Sequence, residues 1–174
     1  MGSEMCIRDR SPPSDPAFWP LEITFDGATG RTGDRQFTCA AGCLWRRASD
    51  GSPPVLLLAV TTLLPDDTQV PDAEAMGCRV GLELLGSADP RLRNVPRRVR
   101  VSGDSAAAIR FGASQGRLLR LPVHETLDDG IARATANGWC LDWQLIRRSA
   151  NGVAHGFARR AARGEAAQLS LIHI

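Results

Sequence analysis

The chain has 174 residues, of which 43% are hydrophobic and 23% are charged, and its formal net charge at pH 7 is +2. No apolar run is long enough for a transmembrane helix, and the small net charge argues against strong nonspecific binding to nucleic acid. All 21 basic residues are arginine and tyrosine is absent, which is the composition that GC-rich codons produce.

Both ends of the chain resemble translated sequencing adapters. Residues 5–10 and 169–174 can be encoded by DNA strings that are reverse complements of each other over nearly their whole length. We therefore predict that residues 1–10 and 169–174 are adapter-derived tails and that residues 11–168 are a single domain from a bacterial, metagenomic gene fragment. The alternative is an open frame that is not the coding one, but the alternating patterns described next favour a coding frame.

The first predicted strand, Leu21–Phe25, alternates apolar and polar residues and leads into a glycine-rich heptad, residues 27–33. This heptad resembles the phosphate loop of the atypical short-chain dehydrogenase/reductase family, whose three motif glycines match Gly27, Gly30 and Gly33. The resemblance implies a parallel βαβ unit with a helix after Gly33, an NAD(P) cofactor and oxidoreductase activity.

A second interpretation of the heptad is a hairpin loop between Leu21–Phe25 and a strand at Arg35–Cys39. A central parallel strand should be apolar throughout, whereas Glu22 and Thr24 interrupt this one. We therefore favour the hairpin and keep the oxidoreductase fragment as the alternative function.

The middle of the chain combines two predicted strands with an acidic loop. Val55–Leu64 is predicted to be a buried strand and Cys78–Leu85 an alternating one. Residues 65–75 between them are predicted to be a surface loop with at most one helical turn. Its acidic residues are Asp66, Asp67, Asp72 and Glu74. The spacing of a calcium-binding EF-hand loop is absent, so we predict that these acids are solvated.

Residues 97–123 are predicted to form a meander of three short strands separated by turns. Strict alternation then places a group of arginines on one sheet face: Arg98, Arg100, Arg110 and Arg120. Residues 11–90 carry five arginines and eleven acidic residues, whereas residues 91–168 carry fourteen arginines and six acidic residues. We therefore expect the arginine face to bind an acidic surface of this chain or of another protein. Binding of phosphate or nucleic acid is the alternative, disfavoured because the face has no aromatic side chains for base stacking.

The C-terminal part is predicted to contain one short helix followed by a hairpin. Thr126 can cap the helix, and Asn137-Gly138 can end it. Trp139–Leu145 alternates like a strand, and Asn151-Gly152 is a strong hairpin signal before a last strand.

Few residues suggest catalysis. The cysteines outside the tails are Cys39, Cys43, Cys78 and Cys140, which suit buried thiols, two disulfides in an exported parent protein, or a zinc site. His124 and His155 have no nucleophile motif nearby, so we expect both to be structural or solvated. The sequence therefore predicts no catalytic residue, no metal site and no cofactor.

Taken together, these patterns predict a mainly β protein, an antiparallel β-sandwich or partly open β-barrel with one short helix before a C-terminal hairpin. The function that follows is a noncatalytic binding or protein-interaction module, with an acidic surface or another protein as the partner and nucleic acid as an unlikely one. Both a cytoplasmic and an exported location, and any oligomeric state, remain open.

Overall fold

Residues 18–86, 92–114 and 122–163 are described by the computed structural model of the chain. These residues form five strands and four α-helices. The strands are β1 (Leu21–Thr32), β2 (Arg35–Arg46), β3 (Val55–Leu64), β4 (Arg98–Gly103) and β5 (Cys140–Leu145). The helices are α1 (Val70–Glu83), α2 (Ala106–Ala113), α3 (Pro122–Ala136) and α4 (Gly152–Ala162), with short 3₁₀ turns at Leu84–Gly86 and Arg148–Asn151.

The five strands make one open sheet in the order β3-β2-β1-β4-β5. The first three strands form an antiparallel meander, whereas β4 runs parallel to β1 and β5 runs parallel to β4. Parallel neighbours require crossover connections, which the helices supply. The β1–β2 hairpin closes through the two residues between Thr32 and Arg35, where Gly33 has a φ of 61°. Glycine adopts this left-handed conformation without a steric penalty.

One face of the sheet carries the large apolar core. Alternate residues of β1 and β4 point to this face and pack against α1, α2 and α3. The fully buried members from the sheet are Leu21, Ile23, Phe25, Leu44, Val99 and Val101, and those from the helices include Cys78, Phe111 and Leu127.

The other face is covered by α4 and is built from small side chains. The sheet contributes Ala28, Cys39, Ala41, Cys43 and Ala59, and α4 contributes Ala154, Ala158, Ala161 and Ala162. Because these residues are short, the helix lies close to the strands, and Ala162 lies directly over Gly30.

The predicted β-sandwich or barrel is wrong. The sheet is open, two of its strand pairs are parallel, and helices cover both faces. Most of the predicted acidic loop and most of the strand predicted after it form the single helix α1, and the second strand of the predicted meander is α2. Asn151-Gly152 begins α4 instead of turning a hairpin. The strand at Val55–Leu64 and the helix ending at Gly138 are present, although α3 begins at Pro122.

The oxidoreductase alternative is also wrong. Gly27 and Gly30 lie inside β1, and Gly33 is the turn of an antiparallel hairpin. The residues after Gly33 form a strand instead of the helix that a phosphate loop must open.

No helix in the described part of the chain combines the length and apolar character needed to cross a membrane.

Candidate functional site

Three acidic side chains from three separate elements meet where β4 ends beside the middle of β1. Asp26 lies on β1, Glu74 lies on α1, and Asp104 directly follows β4. One carboxylate oxygen of each lies within 4.8 Å of the others. We call these three residues the acidic cluster.

The parallel pairing of β1 with β4 explains how two of the carboxylates meet. Thr24 pairs with Ser102, and each of the two acids comes two residues later on its own chain segment. Asp26 and Asp104 therefore lie at the same level along these two neighbouring strands, just where β4 has ended.

Close packing of α1 on the sheet delivers Glu74. A methyl group at Gly27 would overlap the backbone of Ala73 and Glu74, and a Cβ at Gly42 would lie 2.5 Å from the backbone nitrogen of Gly81. Glycine at these positions lets the helix backbone contact the strand backbone directly. This contact brings the first turns of α1 close to Asp26, in the middle of β1.

The start of α4 contributes a fourth polar side chain, Asn151, which is 1% exposed. Its Nδ2 donates to the carbonyl oxygen of Phe25 at 2.8 Å and to Oδ1 of Asp104 at 2.6 Å. The amide therefore links the strand that carries Asp26 to the carboxylate that follows β4.

His155, one turn further along α4, contacts the cluster from the same helix. Its Nδ1 lies 2.6 Å from Oδ2 of Asp26. Arg148, in the 3₁₀ turn before the helix, places Nη2 3.5 Å from the same nitrogen. Arg148 is exposed, so its charge lies at the rim of the site.

Burial and mutual repulsion raise the pKa of two acids of the cluster, Asp26 and Glu74. Burial raises the pKa of Asp26, and the neighbouring Asp104 raises it further, while the hydrogen bond and charge of His155 oppose the shift. Burial, followed by the charges of Asp26 and Asp104, raises the pKa of Glu74 to about 8. Ionisation of these neighbouring carboxylates is costly because they are partly buried and repel one another. A bound cation would stabilise their charged state.

The donor set fits a hard divalent cation. Carboxylate and amide oxygens are the ligands that Mg²⁺ and Mn²⁺ prefer. Two oxygens at the site, Oε2 of Glu74 and Oδ1 of Asn151, are buried and have no hydrogen-bond partner among the described residues. Buried oxygens normally have a partner, so these atoms are available as ligands of a cation or of its water.

The arginines predicted to share one sheet face do not all lie on the sheet. Arg98 and Arg100 lie on β4, Arg110 lies exposed on α2, and Arg120 lies outside the described residues. Arg98 stacks over the Trp19 ring at 4.4 Å. Arg100 bonds to Asp142 at 3.0 Å, an acid of the C-terminal half. Partner or anion binding by these arginines remains a prediction.

The other candidate residues lie outside the acidic cluster. The cysteines outside the predicted tails are free thiols, and burial raises the pKa of Cys39 to about 11 and that of Cys43 to about 12. His124 is buried and stacks on Phe111 with ring centroids 4.2 Å apart.

Sequence reasoning did not identify the acidic cluster. Asp26 and Asp104 each follow a strand-like run, which is where a catalytic acid often lies. This local pattern does not show that the two residues are neighbours, because their proximity depends on the pairing of β1 with β4. Glu74 was grouped with the exposed acids of a loop, although the helix turns it towards the sheet.

Several solved structures have a fold similar to that of this chain. The chain is similar to LC11-RNase H1 solved in complex with an RNA/DNA hybrid, with a TM-score of 0.63 and 19% identity over 85% of this chain and 99% of that one. It is similar to the N-terminal RNase H domain of a Mycobacterium tuberculosis protein, with a TM-score of 0.58 and 16% identity over 85% and 97% of the two chains. RNase H1 from Halobacterium salinarum has a TM-score of 0.57 and 15% identity over 84% and 98%. No protein-family model matches the sequence, and no curated protein matches it either.

The chain therefore has an RNase H-like fold, with a five-stranded open sheet and helices on both faces. The expectation of a noncatalytic binding module is wrong, because the similar solved structures that share this fold are RNase H domains. The expectation that nucleic acid is an unlikely partner is also corrected, because one of these structures, that of LC11-RNase H1, is a complex with an RNA/DNA hybrid. The expectation about nucleic acid rests on the small net charge and on the lack of aromatic side chains on the arginine face. Neither property reveals a local group of carboxylates.

Proposed function

We propose that this protein is a divalent-cation-dependent nuclease that hydrolyses phosphodiester bonds of RNA in RNA/DNA hybrids. The observation that carries the proposal is the acidic cluster of Asp26, Glu74 and Asp104 within an RNase H-like fold.

The residues of the site have separable roles. Oxygens of Asp26, Glu74 and Asp104 would hold a cation, and Asn151 orients Asp104 through the bond from its amide. When bound, a divalent cation would supply Lewis-acid stabilisation of the phosphate charge and would favour ionisation of the attacking water. The ionised carboxylates also repel phosphate, so substrate approach depends on the cation.

Arg148 is the candidate phosphate contact. It is exposed, and its Nη2 lies 3.5 Å from Nδ1 of His155, the nitrogen that contacts Asp26. A guanidinium there can bind a phosphate next to the bond that is cut.

The test uses the full chain and a labelled RNA/DNA hybrid in Mg²⁺ or Mn²⁺. We expect RNA cleavage that stops in EDTA, and we expect Asp26→Asn and Asp104→Asn to lower the rate by roughly 10³-fold or more. The matched control is Asp66→Asn, an exposed acid outside the cluster, which should cleave at the wild-type rate. Duplex DNA and duplex RNA of the same sequence test strand selectivity.

Absence of hybrid cleavage in either metal would contradict the proposal. So would cleavage that survives both cluster substitutions, because the activity would then come from another site or a contaminant.

The role of Arg148 has its own test. Arg148→Ala should raise KM for the hybrid by roughly 3–10-fold with little change in kcat, and it should reduce the salt dependence of binding by about one phosphate contact. Arg159→Ala, an exposed arginine further along α4, is the control. Equal effects of the two variants would mean that general positive charge, and not contact at the site, explains the result.

A further inference from the structure

His155 contacts a buried acid of the cluster directly. Its Nδ1 lies 2.6 Å from Oδ2 of Asp26, whose side chain is only 2% exposed, and the His155 side chain is itself 21% exposed. The contact joins α4 to β1 over a sequence separation of 129 residues. The packing of the helix, and not local chain geometry, therefore creates it.

The hydrogen bond has a defined direction when Asp26 is ionised. A carboxylate can only accept, so Nδ1 of His155 carries the proton and donates it. Nη2 of Arg148, at 3.5 Å from the same nitrogen, is at the limit of hydrogen-bond range and finds no lone pair there. Arg148 therefore acts on the site through its charge, and His155 acts through a short directional bond.

The helix holds the His155 ring in place. Ala154 and Ala158, one residue before and three residues after it, are fully buried against the sheet. Asn151, four residues earlier, lies on the same side of the helix start and bonds Asp104. The start of α4 therefore contacts two of the three acids from one rigid element.

We propose that His155 is a positioning residue that holds Asp26 for cation binding. The bond occupies one oxygen of Asp26 and restricts the rotation of the carboxylate, which leaves the second oxygen to bind a cation together with Glu74 and Asp104. Hydrogen bonds to ligating carboxylates commonly raise metal affinity by such restriction. This inference rests on the proposed cation dependence, but it concerns binding and does not require that the hybrid is the substrate.

The test measures Mn²⁺ binding to the full chain by calorimetry and by the electron paramagnetic resonance signal of free Mn²⁺. His155→Phe keeps a ring of similar size without the donor, and we expect it to weaken Mn²⁺ binding by about 10–100-fold. His155→Asn places an amide donor near the position of Nδ1, and it should recover most of the affinity. Val153→Ala, an exposed position in the same helical turn, should bind as the wild type does.

Thermal unfolding in EDTA separates positioning from folding. Similar unfolding temperatures for the His155→Phe and His155→Asn variants, with different Mn²⁺ affinities, support the proposal. Unchanged Mn²⁺ affinity in His155→Phe overturns it, and so does equal loss in both variants. A wild type that fails to bind Mn²⁺ overturns this inference together with the proposed function.

The two proposals can fail separately. A chain that binds Mn²⁺ through His155 but leaves the hybrid intact would refute the proposed substrate and keep the positioning role. A chain that cleaves the hybrid, with Mn²⁺ affinity indifferent to His155, would do the reverse.

Discussion

The two faces of the sheet bring residues to the same acidic cluster by different kinds of packing. On the α1 face, backbone contacts through Gly27 and Gly42 are surrounded by a core of large side chains such as Phe25 and Leu127. On the α4 face, the helix is held mainly by alanine and cysteine side chains.

Because of this difference, one face of the sheet contributes mainly to the stability of the fold and the other mainly to the positioning of side chains at the cluster. Large apolar side chains contribute most of the hydrophobic free energy, since each buries far more area than an alanine. The α1 face therefore stabilises the fold and presents Glu74. The α4 face contributes less, and its short side chains allow Asn151 and His155 to reach the carboxylates beneath them.

The largest expected effect is from Gly27→Ala on the α1 face. The added methyl group would overlap the backbone of Ala73 and Glu74, and a helix backbone cannot move as a side-chain end can. We expect a loss of about 3 kcal/mol in the free energy of unfolding, measured by urea denaturation. The control is Gly86→Ala, where no atom lies within 4 Å of the new methyl group. A tolerated Gly27→Ala would show that α1 does not lie this close to β1.

On the α4 face, Ala158→Leu tests whether the short side chains are required. Ala158 is fully buried against Ala28 and Ala41, so a larger side chain must push the helix outward. We expect a loss of about 2 kcal/mol and weaker Mn²⁺ binding, because Asn151 and His155 move with the helix. Arg159→Leu, at the neighbouring exposed position, should change neither quantity. Normal Mn²⁺ binding by a destabilised Ala158→Leu would separate α4 from the site.

Glu74→Gln tests the electrostatic cost of the cluster. The pKa of Glu74 is raised from 4.5 to about 8, so between these values the folded state holds a proton that the unfolded state has released. Stability without metal therefore falls as pH rises through this range. The glutamine variant lacks this titration. In EDTA, the free energy of unfolding of the variant minus that of the wild type should therefore be larger at pH 9 than at pH 5. The expected increase is on the order of 2 kcal/mol, after allowance for solvent screening.

Denaturation curves at the two pH values provide the measurement. Parallel pH dependence of the wild type and Glu74→Gln would contradict the raised pKa. Mn²⁺ should stabilise the wild type at pH 9 and should stabilise the variant much less, because a ligand that binds only the folded state raises its stability.

The smallest effect is expected from Gly156→Ala, within α4. No atom lies within 4 Å of the methyl group it would add, and alanine is favoured over glycine inside a helix. We expect a gain of about 0.5–1 kcal/mol in thermal or urea unfolding, with unchanged Mn²⁺ binding. A loss of stability would indicate that this side of α4 is covered more tightly than its open surroundings suggest.

Local patterns predicted the elements whose burial is regular. Leu21–Phe25 and Val55–Leu64 are strands because one face or both faces of the segment are buried, which leaves a readable pattern. The glycine-rich heptad, residues 27–33, predicted a hairpin, but residues 27–32 continue β1 and only Gly33, with its positive φ, lies in the turn. These features depend on residues close together in the chain.

The helices α1 and α4 escaped prediction because glycine and alanine make up much of their buried faces. In α1, Val80 and Leu82 are buried but alternate along the sequence as in a strand, while Gly77 contacts strand backbone. In α4, the fully buried residues are alanines, so no stripe of large apolar side chains marks the helix. Asn151-Gly152 looks like a hairpin turn locally, but the tertiary packing of the alanines favours a helix.

The sequence alone determined the hairpin, the main strands and a composition suited to one folded domain, since these follow from local chemistry. Only the tertiary structure decided the acidic cluster, because its carboxylates are far apart in the chain. Parallel pairing of β1 with β4 brings Asp26 and Asp104 together, and glycine-mediated packing adds Glu74. Side chains separated by tens of residues become a site only when the folding free energy of the rest of the molecule offsets their repulsion.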